Sequence, residues 1–148
     1  MQIYFLDVMF IIKNFFRRDK LRKVFFLFFL IFSLSFAQNV KVVDMKFAVA
    51  IQDKEPIGVS ERFPPDIGKV YCWTKIQSDT VPTKIYHVWY YEGREMARVE
   101  LGITYNTFRT WSSKNILPEW VGNWKVVVED EKGNKVAEKS FEITENWQ

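Results

Sequence analysis

The fold predicted for residues 38–148 is all-β: an antiparallel sandwich of immunoglobulin-like architecture with about seven strands, preceded by an N-terminal hydrophobic signal or anchor helix. Three observations predict it. Apolar residues recur at every second position in run after run; Gly, Pro, Asn and Asp interrupt those runs at short intervals; and past Gln38 no helical period lasts more than a few residues. A compact barrel is the alternative arrangement of the same strands.

The first run puts Val43, Met45, Phe47, Val49 and Ile51 on one face and Asp44, Lys46 and Gln52 on the other. Residues 53–58 then make a turn, with Pro56 and Gly58 supplying a fixed and a permissive dihedral. The Pro64-Pro65 pair in residues 63–68 excludes strand interior and predicts an extended corner. Residues 70–77 form the next strand, with Val70, Cys72, Thr74 and Ile76 facing one way and Tyr71, Trp73 and Lys75 the other. Residues 84–92 are so aromatic that both faces should be covered in part. Glu92-Gly93 turns that strand back into residues 95–103, a hairpin. Residues 107–112, 124–129 and 135–144 complete the set, the last two joined by a turn containing Gly133.

Between the strands at 107–112 and 124–129 lies the densest aromatic stretch, Arg109 to Trp124, with three of the six tryptophans. It reads as a strand end, a polar turn at Ser112 to Asn115, an apolar bridge stopped by Pro118, and a new strand from about Asn123. Burying a tryptophan stabilises by roughly 2–3 kcal/mol or more, so this loop should be held down by the core beneath it.

Residues 1–37 are a different material. The basic group Lys20 to Lys23 precedes the 14-residue apolar run Val24 to Ala37, and Ser35 and Ala37 suit the −3 and −1 positions of a signal cleavage site. A spanning helix needs about 20 apolar residues, so a cleaved signal peptide is preferred to a retained anchor. Residues 1–20 are long for a signal n-region, and translation from Leu21 through a non-AUG codon is one resolution. The expected address is therefore export, to the periplasm or to a membrane anchor facing it. The leader also carries the basic surplus. The whole chain is +3 and the leader +4, which leaves the remainder at −1 and removes the electrostatic case for nucleic acid.

Few residues suggest chemistry. Cys72 is the only cysteine, so neither an internal disulfide nor a cysteine-based metal site is available, and it reads as a buried apolar residue. His87, the sole histidine, reads as a hydrogen-bonded core or edge residue in preference to a general base. Ser112 and Ser113 beside Lys114 lack the Ser-x-x-Lys and nucleophile-elbow spacings, and read as turn chemistry. Glu119 should pair with Arg109 or Lys114 as a staple of the loop. No cofactor or metal is expected.

The segments His87-Val-Trp-Tyr-Tyr91 with Gly93, Arg109-Thr-Trp-Ser-Ser-Lys-Asn-Ile-Leu-Pro-Glu-Trp120, and Gly122-Asn-Trp-Lys-Val-Val-Val128 with Asp130 to Gly133 together resemble the bacterial family called domain of unknown function 2914, from about Phe47 to Ile143. The resemblance implies a small bacterial β domain found behind exporting or anchoring segments. It implies no ligand and no catalytic residue.

The expected function is a non-catalytic binding or accessory module for an envelope protein or glycan, with membrane contact through the leader if that stays attached. The candidate surface is Arg109, Trp111, Ser113, Lys114, Glu119 and Trp120 together with His87 and Trp89. Exposed aromatics on this surface would form a stacking platform. A small hydrolase using His87 with Ser112 or Ser113 is the rival and requires those side chains to meet. A passive spacer requires neither.

Overall fold

Ten strands make up residues 39–148, the part that the computed structural model describes. The signal or anchor reading of residues 1–37, and the alternative translation start within it, lie outside the described residues. Seven strands are long: β1 (Val40–Ala48), β5 (Lys69–Ser78), β6 (Thr83–Tyr91), β7 (Arg94–Ile103), β8 (Thr107–Asn115), β9 (Gly122–Asp130) and β10 (Lys135–Ile143). They correspond to the seven predicted strands. Three short pieces are added: β2 (Ala50–Gln52), β3 (Glu55–Ile57) and β4 (Arg62–Phe63).

The strands divide into a three-stranded sheet, β1-β5-β8, a five-stranded sheet, β4-β10-β9-β6-β7, and the small hairpin β2-β3. All pairings are antiparallel except β4 with β10. Glu92 and Gly93 join β6 to β7 with φ of 46° and 78°, the left-handed pair that a two-residue hairpin loop of matching twist requires.

Alternation determines what each sheet contributes to the core. Phe47 from β1 and Val70 and Cys72 from β5 meet Trp89, Trp124, Val126 and Phe141 from β6, β9 and β10 in one buried cluster. A second cluster, with Val40, Ile76, Ile85, Ile103 and Val128, continues it toward the other end. Trp124 stacks on Phe141 at 5.9 Å and Phe47 lies 4.6 Å from the same ring. At about 25 cal/mol per Å2, an aromatic side chain burying roughly 150–250 Å2 contributes on the order of 4–6 kcal/mol before its lost entropy is subtracted. Cys72 sits inside this core, where desolvation pushes its thiol well above the ordinary range.

Two expectations are corrected. The first strand does not keep one face from Val43 to Ile51. Its register slips between Val42 and Asp44, so Val43 bulges out and is 44% exposed, and Val40 and Val42 take the inward side before it. Strand β1 then stops at Ala48, and Val49 is exposed at the bend into β2. The second correction concerns Ser112 to Asn115, expected as a turn. These residues continue β8 without a break in register, Ser112 opposite Cys72 and Asn115 opposite Lys69. Hydrogen bonding to β5 over nine consecutive pairs outweighs the turn preference of Ser and Asn, which is a weak prior in a chain that has a neighbouring strand to pair with.

Candidate functional site

Because β8 is a regular strand, its side chains alternate between two environments. Thr110 and Ser112 point into the core, and Arg109, Trp111 and Ser113 point outward. Strand β6 delivers His87 and Trp89 to the inward side, both 0% exposed.

The imidazole of His87 lies between two hydroxyls. Its Nδ1 is 2.8 Å from Ser112 Oγ and its Nε2 3.1 Å from Thr74 Oγ1. Trp89 Nε1 donates to Ser112 Oγ at 3.0 Å, and Thr74 Oγ1 donates to the Thr110 carbonyl at 3.3 Å. One assignment of protons satisfies every group: Trp89 N–H to Ser112, the Ser112 hydroxyl to Nδ1, Nε2–H to Thr74, and the Thr74 hydroxyl to the carbonyl. This fixes the neutral Nε2–H tautomer. The opposite tautomer would aim two donors at Ser112 and leave its hydroxyl hydrogen without an acceptor among these groups. Desolvation lowers the His87 pKa to about 3, in keeping with a neutral ring.

The histidine and a serine therefore meet, as a serine nucleophile and its base must. The surroundings differ from those that nucleophilic catalysis uses. Ser112 is itself buried, and the second imidazole nitrogen faces a hydroxyl where a carboxylate would orient the base. Ser113, on the outer side of β8, lies away from the imidazole. His87 and Trp89, proposed as parts of a binding surface, are corrected to interior residues: β6 lies between β9 and β7 in the five-stranded sheet and its inward phase holds both.

On the outer side, Trp111 lies directly opposite Trp73 across β5 and β8. Hairpin β2-β3 folds back over this face. The Lys54 carbonyl accepts from Trp73 Nε1 at 2.8 Å, and Glu55 pairs with Arg109. Trp73 is thereby buried, whereas Trp111, on the edge strand, is half-buried.

The loop between β8 and β9 has shrunk to residues 116–121, and it is fastened as expected. Ile116 is buried, Tyr91 Oη donates to the Val121 carbonyl at 2.8 Å, and Trp124 Nε1 donates to the Trp120 carbonyl at 3.2 Å. Trp120 is half-buried against Tyr91 and Trp124. Lys114 Nζ stands 5.1 Å above the Trp120 ring. The expected staple from Glu119 to Arg109 or Lys114 is corrected: Arg109 is held by Glu55, Lys114 by the indole, and Glu119 is exposed.

The eight candidate residues therefore fall into three places: His87 and Trp89 inside, Arg109, Trp111 and Ser113 on the outer face of the three-stranded sheet, and Lys114, Glu119 and Trp120 at one end. Sequence reasoning missed Thr74, Glu55 and Lys75 as participants. Thr74 had a signal, a hydroxyl on an otherwise apolar strand face. No group of three or more His, Cys, Asp or Glu side chains able to hold a metal occurs among the described residues.

Comparison with known families finds that residues 82–143 match the family model described as "Protein of unknown function (DUF2914)". The resemblance read from the tryptophan-rich motifs is borne out over that span, from the start of β6 to the end of β10. No curated protein matches the chain.

Proposed function

From a chain whose β6–β10 segment carries the DUF2914 pattern, we propose an exported binding or accessory module of the bacterial envelope, built as an immunoglobulin-like sandwich and acting without covalent chemistry. Strand order supports the architecture. Sheets β1-β5-β8 and β10-β9-β6-β7 correspond to strands A-B-E and G-F-C-C′ of that class. Cys72 and Trp89 sit at the core positions where immunoglobulin domains carry a strand-B cysteine and a strand-C tryptophan. The basic, apolar leader with small residues before Gln38 supports export.

The observation that carries the binding reading is the half-buried Trp111, flanked by Arg109 and Ser113 on the outer side of the edge strand β8. Aromatic side chains at such positions supply large contact area at low entropic cost. The rival hydrolase reading draws on the 2.8 Å contact between His87 and Ser112, but reaching that pair would require opening the core.

Two measurements separate the readings. A fluorophosphonate probe is expected to leave Ser112 unlabelled in the folded protein. The protein is also expected to co-sediment with envelope fragments, and Trp111→Ala to abolish this while Ser112→Ala does not. Stoichiometric labelling of Ser112, or ester turnover lost in Ser112→Ala, would replace the binding reading with the hydrolase.

A further inference from the structure

The outer faces of the two main sheets differ in how their charges are arranged. On the five-stranded sheet the cations have acidic partners: Lys84 with Glu100, Arg98 with Glu95 and Glu129, and Lys125 with Glu138. On the three-stranded sheet, Lys75 of β5 lies directly opposite Arg109 of β8. Like charges in that cross-strand relation repel. Arg109 has Glu55, but Asp44, the residue opposite Lys75 on β1, gives its carboxylate to Lys46 at 2.8 Å. Among the described residues Lys75 has no carboxylate partner, and neither do Lys41 and Lys69, which occupy the same outward phase of β1 and β5.

Trp111 neighbours two cations of this face, Arg109 on its own strand and Lys75 diagonally across on β5. It is one step of two residues along β8 from Arg109, a spacing of about 7 Å at 3.3–3.4 Å per residue. Its indole is half-buried on the edge strand of the sheet. A half-buried ring beside two mutually repelling cations, one of them without a carboxylate partner among the described residues, matches a ligand that has both flat faces and negative charge.

We propose that this face binds an anionic polysaccharide, a chain of sugar rings bearing carboxylates, with one ring stacked on Trp111 and neighbouring carboxylates on Lys75 and Arg109. The inference rests on the binding reading above and names its ligand class. Nucleic acid fits less well, since outside the leader the chain carries net charge −1 and the positive face is small. A membrane surface fits less well because Trp111 is flanked by Arg109 and Ser113, with no apolar neighbour on its strand face to insert beside it.

The test is titration of the full-length protein with polygalacturonate, a linear uronic acid polymer, followed by tryptophan fluorescence. Fully methyl-esterified polygalacturonate serves as the uncharged polymer of the same backbone, and vesicles containing 30% phosphatidylglycerol as a lipid anion. Binding to the acidic polymer is expected to weaken with salt and to be at least about tenfold tighter than to the ester. Trp111→Ala and Lys75→Glu should each weaken it about tenfold or more, whereas Lys125→Gln on the opposite face leaves it unchanged. Lys75→Glu gains attraction to Arg109 and repulsion from Asp44 and is expected to fold with an unchanged Tm, so its lost binding cannot be attributed to unfolding. Equal affinity for acid and ester, insensitivity to Trp111→Ala and Lys75→Glu, or preference for the vesicles over the polymer overturns the proposal. If co-sedimentation with envelope fragments still depends on Trp111 after such a result, the binding reading survives and only the ligand class is wrong.

Discussion

The two sides of strand β8 follow opposite rules. On the inner side, Thr110 and Ser112 belong to a polar chain in which every donor and acceptor has one partner, and no buried side-chain polar atom among the described residues is left without one. On the outer side, Arg109 faces Lys75 of β5, which has no carboxylate partner among the described residues. A buried polar group left unsatisfied costs about 1–3 kcal/mol, whereas an exposed charge left unpaired costs a fraction of that because water and salt screen it. The interior must therefore be complete, and only the surface can hold interactions in reserve for a ligand. Variants on the two sides should differ in kind: inner ones lose stability, outer ones lose binding.

The largest effect is expected from Trp89→Ala. It removes a side chain that is 0% exposed and packs on Phe141, and it also withdraws the N–H that Ser112 accepts. The expected loss is about 3–5 kcal/mol of unfolding free energy, read from urea denaturation. A loss below about 1 kcal/mol would mean that the core between the sheets is not packed as described. His87→Ala should follow at about 2–4 kcal/mol, since it leaves a void and strands two hydroxyls. If it proved harmless, the inner side would not be the closed network that the comparison requires.

Acidification probes the same network through its one titratable member. The His87 pKa is lowered by desolvation from 6.5 to about 3, so between those values the unfolded chain binds a proton that the folded one does not. Stability is then full above pH 6.5 and falls as the pH drops toward 3. Between pH 6.5 and pH 5 the expected loss is about 2 kcal/mol, from about 1.4 kcal/mol per pH unit. His87 is the sole histidine, and few other groups titrate in that interval. His87→Gln should flatten this part of the profile. A wild-type profile already flat from pH 7 to pH 5 would show that the imidazole is reached by water in the native state.

Strand periodicity made most of this fold legible in advance. Val70, Cys72, Thr74 and Ile76 were assigned to one face from alternation alone, and all four are buried, because a strand between two others has no freedom to change phase. The edges were less legible. Val43 leaves the phase through a bulge, and Ser112 to Asn115 pair where turn chemistry was expected. Both outcomes depend on a neighbouring strand 30 or more residues away, which no local pattern records. The site divided in the same way. The fastening of Trp120 followed from the cost of exposing an indole, but the Thr74–His87–Ser112 chain joins three strands and required the register of each. The pairing of Arg109 with Glu55 in place of Glu119 depended on a hairpin folding back over the sheet.

The smallest effects concern the outer side. Arg109→Gln breaks an exposed ion pair with Glu55 and removes the charge opposite Lys75, two effects that oppose each other; the expected change is within about 0.5 kcal/mol. Lys75→Glu cancels in the same way: the new carboxylate attracts Arg109 on β8 but repels Asp44, which lies opposite it on β1. The expected change is again within about 0.5 kcal/mol. A Lys75→Glu variant of unchanged stability that fails to bind acidic polymer would mean that the outer face of β5 and β8 keeps this cation for a ligand and not for the fold. A destabilising Lys75→Glu would mean that Lys75 already has a structural partner, and the contrast between the two sides of the strand would disappear.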